Sequence, residues 1–421
     1  MERSSTKPLV SIIMPCYNEE KYIGQAIESL IDDWVLKNCE FLVVDGGSVD
    51  RTREIIEALS RKIEAGFLGA ERERPWPFLR LLNNSARIQA CGMNRGIEEA
   101  RGEIILRADA HCLYPPGYVE YCLRSLIALE KEGVANFGGF IKPVGHSLTQ
   151  LAIALALKNP IGVGDSRWHL GRKSGYVDTV YLGIFRKKIL EEIGRYDPRA
   201  HPNEDAELNL RLLKSGKKIY LDGSLGVYYF VRDSLSHLAR QYFCYGQGRA
   251  YTTLKHRRFT SWRQVAPVMV ITAVATGFVG GFFWPQLWLI PGVYLAVLAG
   301  GAAFSFYSEA KTEKEKSGEI KTTREKMNEG LSEERPKIEE IKVTAAFKSN
   351  LAEEGRQTYQ AASLNSGRMG QSSLKRINLS SLNWKEKAFL YICVIASFAV
   401  IHFCWAAGFL SRISSWLRTK K

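Results

Sequence analysis

Between Leu9 and Arg107 short β-rich apolar runs alternate with stretches of helical spacing, and no other feature of the chain restricts its fold so tightly. Leu9 to Met14 is one such run, ending at Pro15, and Phe41 to Val44 is another, ending at Asp45-Gly46-Gly47. Between them Ile23, Ala26, Ile27 and Leu30 recur at helical spacing and form one apolar face. Ile55, Ile56 and Leu59 then suit a helix, Phe78 to Leu82 a strand, Ser85 to Arg101 a helix and Glu103 to Arg107 a strand. This alternation predicts an α/β, Rossmann-like unit with a mostly parallel sheet and helices on both faces. Ligands of such sheets bind outside the carboxyl ends of the strands. Three of those ends carry Pro15-Cys16-Tyr17-Asn18-Glu19, Asp45-Gly46-Gly47-Ser48-Val49-Asp50 and Asp109-Ala110-His111, so polar groups gather on one rim.

The chain has 421 residues, more than a soluble unit of roughly 250 residues needs. Val265 to Phe306 reads as two apolar stretches broken near Trp284-Pro285, and Ala388 to Leu410 as a third. Each approaches the roughly 20 residues that a membrane-crossing helix requires. The first residues lack the apolar core of a signal peptide, which predicts an N-terminal domain kept in the cytoplasm by a multi-pass anchor in the inner membrane. The expected division is a catalytic unit over 1–232, an interfacial helix region over 233–264, two spans over 265–306, a charged insertion over 307–387 and a third span with a basic tail over 388–421. Three crossings would carry Arg412, Arg418, Lys420 and Lys421 outside, against the positive-inside tendency, unless one segment is re-entrant or interfacial. The eight cysteines show no Cys-x-x-Cys pair and read as reduced thiols. The net charge of +14 admits nucleic acid or anionic lipid. Lys255-His256-Arg257-Arg258 and Arg263 lie just before the first apolar stretch, which favours membrane lipids and argues against nucleic acid.

The rim residues make chemical sense together as a sugar-nucleotide site. Tyr17, Asn18 and Glu19 offer a ring and hydrogen-bonding groups to a base and ribose, and Asp45 can accept hydrogen bonds from a ribose or uracil. Gly46 and Gly47 let the backbone turn closely, while Ser48 or Asp50 can cap the next helix. Asp109 and His111, spaced i and i+2, could hold one divalent cation and through it a diphosphate. From Val134 to about Phe230 the pattern is less regular, and Gly138-Gly139, Gly162, Gly164 and Gly171 suggest loops packed over the crevice. Within it, Arg167, Trp168 and His169 could touch an acceptor or close over the donor. Asn203 to Lys214 reads as a helix opened by an Asn cap, with acids in its first turn. Leu235, Leu238, Tyr242 and Phe243 give the next helix an apolar face that suits either a membrane interface or ordinary packing.

The segments Val10-Ser11-Ile12-Ile13-Met14-Pro15-Cys16-Tyr17-Asn18-Glu19-Glu20, Val44-Asp45-Gly46-Gly47-Ser48-Val49-Asp50-Arg51-Thr52 and Asn203-Glu204-Asp205 resemble the signatures of family 2 glycosyltransferases with the GT-A fold. Asn94-Arg95-Gly96-Ile97, Arg107-Ala108-Asp109-Ala110-His111-Cys112-Leu113-Tyr114-Pro115 and Asn203-Glu204-Asp205-Ala206-Glu207-Leu208-Asn209 resemble the membrane-anchored succinoglycan-biosynthesis ExoA type, over about residues 8 to 255. The resemblance implies that Pro15, Tyr17, Glu19 and Asp45 contact the uridine of a UDP-sugar. It places Asp109 and His111 at the Asp-x-Asp positions that hold Mg2+ or Mn2+, His111 standing where Asp is usual, a change the ExoA-like group tolerates. Imidazole suits Mn2+ better than Mg2+. Asp205 matches the catalytic base, with Glu204 the second candidate. The implied reaction is an inverting transfer of one sugar, glucose first among hexoses, to a lipid-linked saccharide, with polysaccharide-assembly proteins as further partners. A polyprenyl-phosphate monosaccharide synthase and an inactive binding scaffold are the alternatives. Processive relatives carry Gln-x-x-Arg-Trp, whereas here Gln241 is followed by Cys244 and Tyr245 at the Arg and Trp positions, which argues for single addition.

Overall fold

The computed structural model describes residues 6–66, 76–171, 173–257, 265–328 and 377–419. Its first half follows the predicted alternation: β1 (Val10–Cys16), α1 (Ile23–Leu30), α2 (Asp33–Asn38), β2 (Cys39–Asp45), α3 (Thr52–Glu64), β3 (Leu79–Asn83), α4 (Gln89–Glu99) and β4 (Ile104–Arg107). The strands β3, β2, β1 and β4 lie side by side, all parallel. Strands covered on both faces read as continuous apolar runs, and every residue of β1 and β2 is buried. Ile12 and Met14 face the layer that holds Ile23 and Ile27 of α1, while Ile13, Leu42 and Val44 face Ala90, Met93 and Ile97 of α4. The period of two along the strands thus serves two helical layers.

After β5 (Cys112–Leu113) and α5 (Tyr118–Leu129), the less regular region proves to hold further strands interleaved with short helices. β6 (Val134–Val144), β7 (Gly175–Tyr176), β8 (Tyr181–Arg186) and β9 (Lys218–Phe230) extend the order to β3-β2-β1-β4-β8-β6-β9-β5, with β7 paired to β9. Gly138 and Gly139, expected in a loop, lie within β6. A Cβ on Gly138 would fall 2.6 Å from Leu182 O and one on Gly139 1.9 Å from Leu225 O. Glycine marks close strand approach here, a meaning that a sequence shares with loop glycine. Between these strands lie α6 (Leu148–Leu157), α7 (Pro160–Val163), α8 (Arg167–Leu170), α9 (Lys187–Glu192) and α10 (Glu204–Lys214). Asn203 sits at the expected cap of α10 without capping it by its side chain, which donates instead to Thr252 Oγ1 at 3.0 Å.

The C-terminal part comprises α11 (Leu235–His256), α12 (Ala266–Gly280), α13 (Leu289–Asn328) and α14 (Trp384–Thr419). Two helical segments, Pro285–Glu315 and Trp384–Thr419, are long and apolar enough to cross a membrane. The first expected span is only the 15 residues of α12, about 22 Å of helix at 1.5 Å per residue, short of a hydrocarbon core of about 30 Å. Phe282, Phe283 and Trp284, at the turn between α12 and α13, are more than 60% exposed. The region expected as a charged insertion begins as a continuation of α13, and its residues 329–376 lie outside the described residues.

Helix α11 is packed within the chain rather than left with a free apolar face. It meets α14 at two glycines: a Cβ on Gly246 would lie 2.1 Å from Trp405 O, and one on Gly408 1.9 Å from Phe243 O. Lys255 and His256, expected at lipid headgroups, are paired with Glu207, and Lys255 also with Asp197. The rest of that basic run from Arg258 lies outside the described residues. All eight cysteines are free, as their spacing predicts.

Candidate active site

The carboxyl ends of β1, β2 and β4 converge, and their loops are tied to one another. Asn18 N donates to Ser48 Oγ at 2.8 Å, Val49 N to Asn18 Oδ1 at 2.9 Å and Glu19 N to Thr52 Oγ1 at 2.8 Å. Asp45 is fully buried, accepting from Ser48 N at 3.1 Å, Ser48 Oγ at 2.5 Å and Arg53 Nη1 at 2.7 Å. Gly47 turns at φ +79°, where a side chain would strain the backbone. Pro15, Asp45 and Gly46 therefore lie beneath the rim. Tyr17, 44% exposed, stands on it with the Arg87 guanidinium 5.7 Å from its ring centre.

Tyr17, Asn18, Glu19, Asp109, His111, Glu204 and Asp205 all line one cleft of about 1640 Å³. The structure thus brings together seven of the ten predicted site residues, with the other three directly below. His111 Nδ1 is 3.0 Å from Glu19 Oε1. A carboxylate on one ring nitrogen orients the other toward a ligand, the arrangement common at metal-binding histidines. Burial opposes the imidazolium, but Glu19 and Asp109 outweigh it and raise the His111 pKa above its ordinary value. Asp109 is 6% exposed and accepts from Tyr181 OH at 3.1 Å. Among the described residues no three His, Cys, Asp or Glu side chains form a self-sufficient metal site.

Sequence reasoning missed Arg107. It is 5% exposed, contacts Asp205 directly, and lies 3.4 Å from Asp109 Oδ1 and 3.6 Å from Glu204 Oε1. Gln89 completes the group when its amide oxygen accepts from Arg107 Nη2 at 2.6 Å and its nitrogen donates to Glu204 Oε1 at 3.3 Å. The available signal was an arginine closing the apolar run Ile104-Ile105-Leu106, since a buried cation requires partners. Removal from water raises the Asp205 carboxyl to about 7; Arg107 opposes the rise, and Glu204 and Asp109 add to it. Burial likewise raises Glu204, against Arg107. The Asp205 side chain itself is 44% exposed, so this buried charge cluster still opens to the cleft.

Arg167, Trp168 and His169 form the short helix α8 on the cleft wall. Trp168 stacks on Tyr181 with ring centres 5.9 Å apart, and His169 Nδ1 is 2.8 Å from Ser166 Oγ. The cleft does not stop at the sheet. Val270 of α12, Val293 and Val297 of α13 and Trp405 of α14 line it too.

Residues 11–194 match the sequence model of Glycosyl transferase family 2. The chain is 33% identical over 271 residues to the succinoglycan biosynthesis protein ExoA of Rhizobium meliloti, an alignment covering 64% of this chain and 77% of that protein. It is 26% identical over 244 residues to a dolichyl N-acetyl-alpha-D-glucosaminyl phosphate 3-beta-D-2,3-diacetamido-2,3-dideoxy-beta-D-glucuronosyltransferase of Methanococcus voltae, covering 57% of this chain and 72% of that one. Among solved structures, the mannosyltransferase PcManGT of Pyrobaculum calidifontis in complex with GDP-Man and Mn2+ aligns at 16% identity and a TM-score of 0.44, over 86% of this chain and 88% of that chain. The chain belongs to glycosyl transferase family 2, and its parallel strands with a polar carboxyl rim are those of a GT-A fold.

Proposed function

We propose that the protein is an inverting, metal-dependent glycosyltransferase that moves one sugar, glucose, from a UDP-sugar to a lipid-linked saccharide during exopolysaccharide or cell-surface glycan assembly. One observation carries this reading: the cleft that holds Asp109, His111 and Asp205 runs without a break to apolar helices of membrane-spanning length. Its volume of about 1640 Å³ exceeds the roughly 300–1,000 Å³ usual for a small-molecule site, which leaves room for a second substrate beside the donor. The polar end suits a nucleotide and the apolar end an isoprenoid chain.

In this reading Tyr17, Asn18 and Glu19 line the nucleoside end, over the support formed by Pro15, Asp45 and Gly46. Asp205 takes the proton of the acceptor hydroxyl as that oxygen attacks the anomeric carbon opposite the leaving diphosphate, which inverts the centre. A carboxyl raised to about 7 is a stronger base than an ordinary aspartate and is still half ionised near neutrality. Arg107 holds it in place. Asp109 and His111 fit a Mg2+ or Mn2+ ion, because two protein ligands suffice where donor phosphates and water complete the shell. When bound, such a cation neutralises charge on the departing diphosphate.

The catalytic unit is proposed to face the cytoplasm at the inner membrane. Arg412 of α14 lies 5.6 Å over the ring of Tyr251 of α11, whose hydroxyl donates to Asp197 Oδ2 at 3.1 Å, so the basic tail begins beside a helix tied to the catalytic unit. That placement supports a re-entrant or interfacial apolar segment over three full crossings. The test is incubation of radiolabelled UDP-glucose and Mn2+ with membranes containing the protein, followed by organic extraction. Label in a lipid-linked oligosaccharide supports the reading, and label in a lipid monosaccharide supports the synthase alternative instead. UDP binding with no transfer to any lipid acceptor would leave only a scaffold.

A further inference from the structure

We propose that Arg232 is a metal-independent anchor for the donor's diphosphate, supplying the cation that this chain lacks at position 244. The inference rests on the cleft being a sugar-nucleotide site and adds a residue to it. Helix α11 presents Gln241, Cys244 and Tyr245 to the cleft, so the positions comparable to Gln-x-x-Arg-Trp do face the reaction centre. Gln241 Nε2 is occupied in donating to Tyr229 OH at 3.2 Å and Tyr245 OH at 2.9 Å, and Cys244 carries no charge to offer. The polar end of the cleft holds Glu19, Asp109, Glu204 and Asp205, and its buried cation, Arg107, is already committed to three of those carboxylates. A diphosphate entering there would face these carboxylates, which calls for a cation besides Arg107.

Arg232 is placed to be that cation. It lies on the cleft wall, exposed, within electrostatic reach of Tyr229, Tyr245, Glu19 and Asp109, and of His111. Among the described residues it has no hydrogen bond or ion pair within contact distance. Its position is fixed from behind. Phe230 N donates to His111 O at 3.0 Å, Val231 N to Val144 O at 3.1 Å and Gln150 Nε2 to Val231 O at 3.1 Å. Ser234 then caps α11 by accepting from His237 N at 3.3 Å. The guanidinium therefore projects from a short segment held at both ends, two residues after Phe230, the strand's last residue, whose N–H meets His111 O. A planar fork of N–H donors suits phosphate oxygens and needs no metal to bind them.

The experiment uses the full chain in detergent, with UDP as probe in Mn2+ and separately in EDTA. Wild-type protein should retain weak UDP binding in EDTA. Arg232→Ala should abolish that residual binding, weaken UDP about tenfold in Mn2+ and lower kcat, while Arg232→Lys should recover part of both. Equal UDP affinity of wild type and Arg232→Ala in EDTA would overturn the assignment. So would intact UDP affinity combined with a raised KM for the polyprenyl-linked saccharide acceptor, because the residue would then serve an acceptor phosphate. Wild-type protein that binds no UDP under either condition would overturn the sugar-nucleotide reading as well.

Discussion

Arg107 and Asp205, 98 residues apart in sequence, are in direct contact at the floor of the cleft, joining the end of β4 to the first turn of α10. This contact sets the proposed base against the rim that holds Asp109. Through Gln89 it also reaches Glu204.

Removing the cation should destabilise the protein as well as impair it. Arg107→Ala leaves Asp109, Glu204 and Asp205 close together without their counter-ion, and breaking one side of a buried pair costs about 3–5 kcal/mol. Thermal unfolding in detergent should show a clear loss for this variant. Adding Asp205→Asn should restore part of it, as residues sharing a network are not additive. Additive losses would contradict the coupling.

Asp205→Asn should lower transfer by roughly 10²–10⁴ and change UDP affinity by less than threefold. Glu204→Gln should be milder, because Glu204 is 1% exposed and cannot reach an acceptor as freely. Calorimetric UDP titration beside a transfer assay checks both. Unchanged turnover in Asp205→Asn would remove it as the base.

The pH profile should rise through neutrality. A base is active when ionised, and with the Asp205 carboxyl raised to about 7 the active fraction grows as pH increases from 6 to 8. His111, also raised, must be neutral to bind a cation and adds to the same limb. In His111→Asp the histidine contribution disappears and a single limb near 7 should remain. A flat profile from pH 6 to 8 would contradict the Asp205 assignment.

His111→Asp should preserve transfer and shift preference from Mn2+ toward Mg2+, since a second carboxylate replaces imidazole. Asp109→Ala should remove both transfer and its dependence on added cation. Activity of each variant after chelation and reloading with either ion separates the two effects.

Gly246→Leu should separate α11 from α14. A Cβ at this position already meets Trp405 O at 2.1 Å, and overpacking of this kind costs typically about 1–3 kcal/mol. Reduced thermal stability is expected, with lipid-acceptor transfer falling further than UDP binding because α11 and α14 both line the cleft.

The legible and illegible parts of this protein divide by the range of the forces involved. Strand and helix order from Val10 to Arg107 was readable because the periodicities of two and 3.6 are local, and the strand ends gathered Tyr17, Asp109 and His111 on one rim as parallel topology requires. The second half of the sheet was not readable, because Gly138 and Gly139 mark close approach to strands more than 40 residues away. Sequence could likewise nominate Asp45 as a ligand but could not show that Ser48 and Arg53 occupy it. By itself the sequence determined the α/β order, the polar rim, the family and the presence of long apolar helices. Only the tertiary structure decided that Arg107 joins Asp109 to Asp205, that Arg232 comes to the same cleft, and that the cleft opens toward the apolar helices. Those relations arise from packing and charge between segments far apart in the chain, which no local pattern encodes.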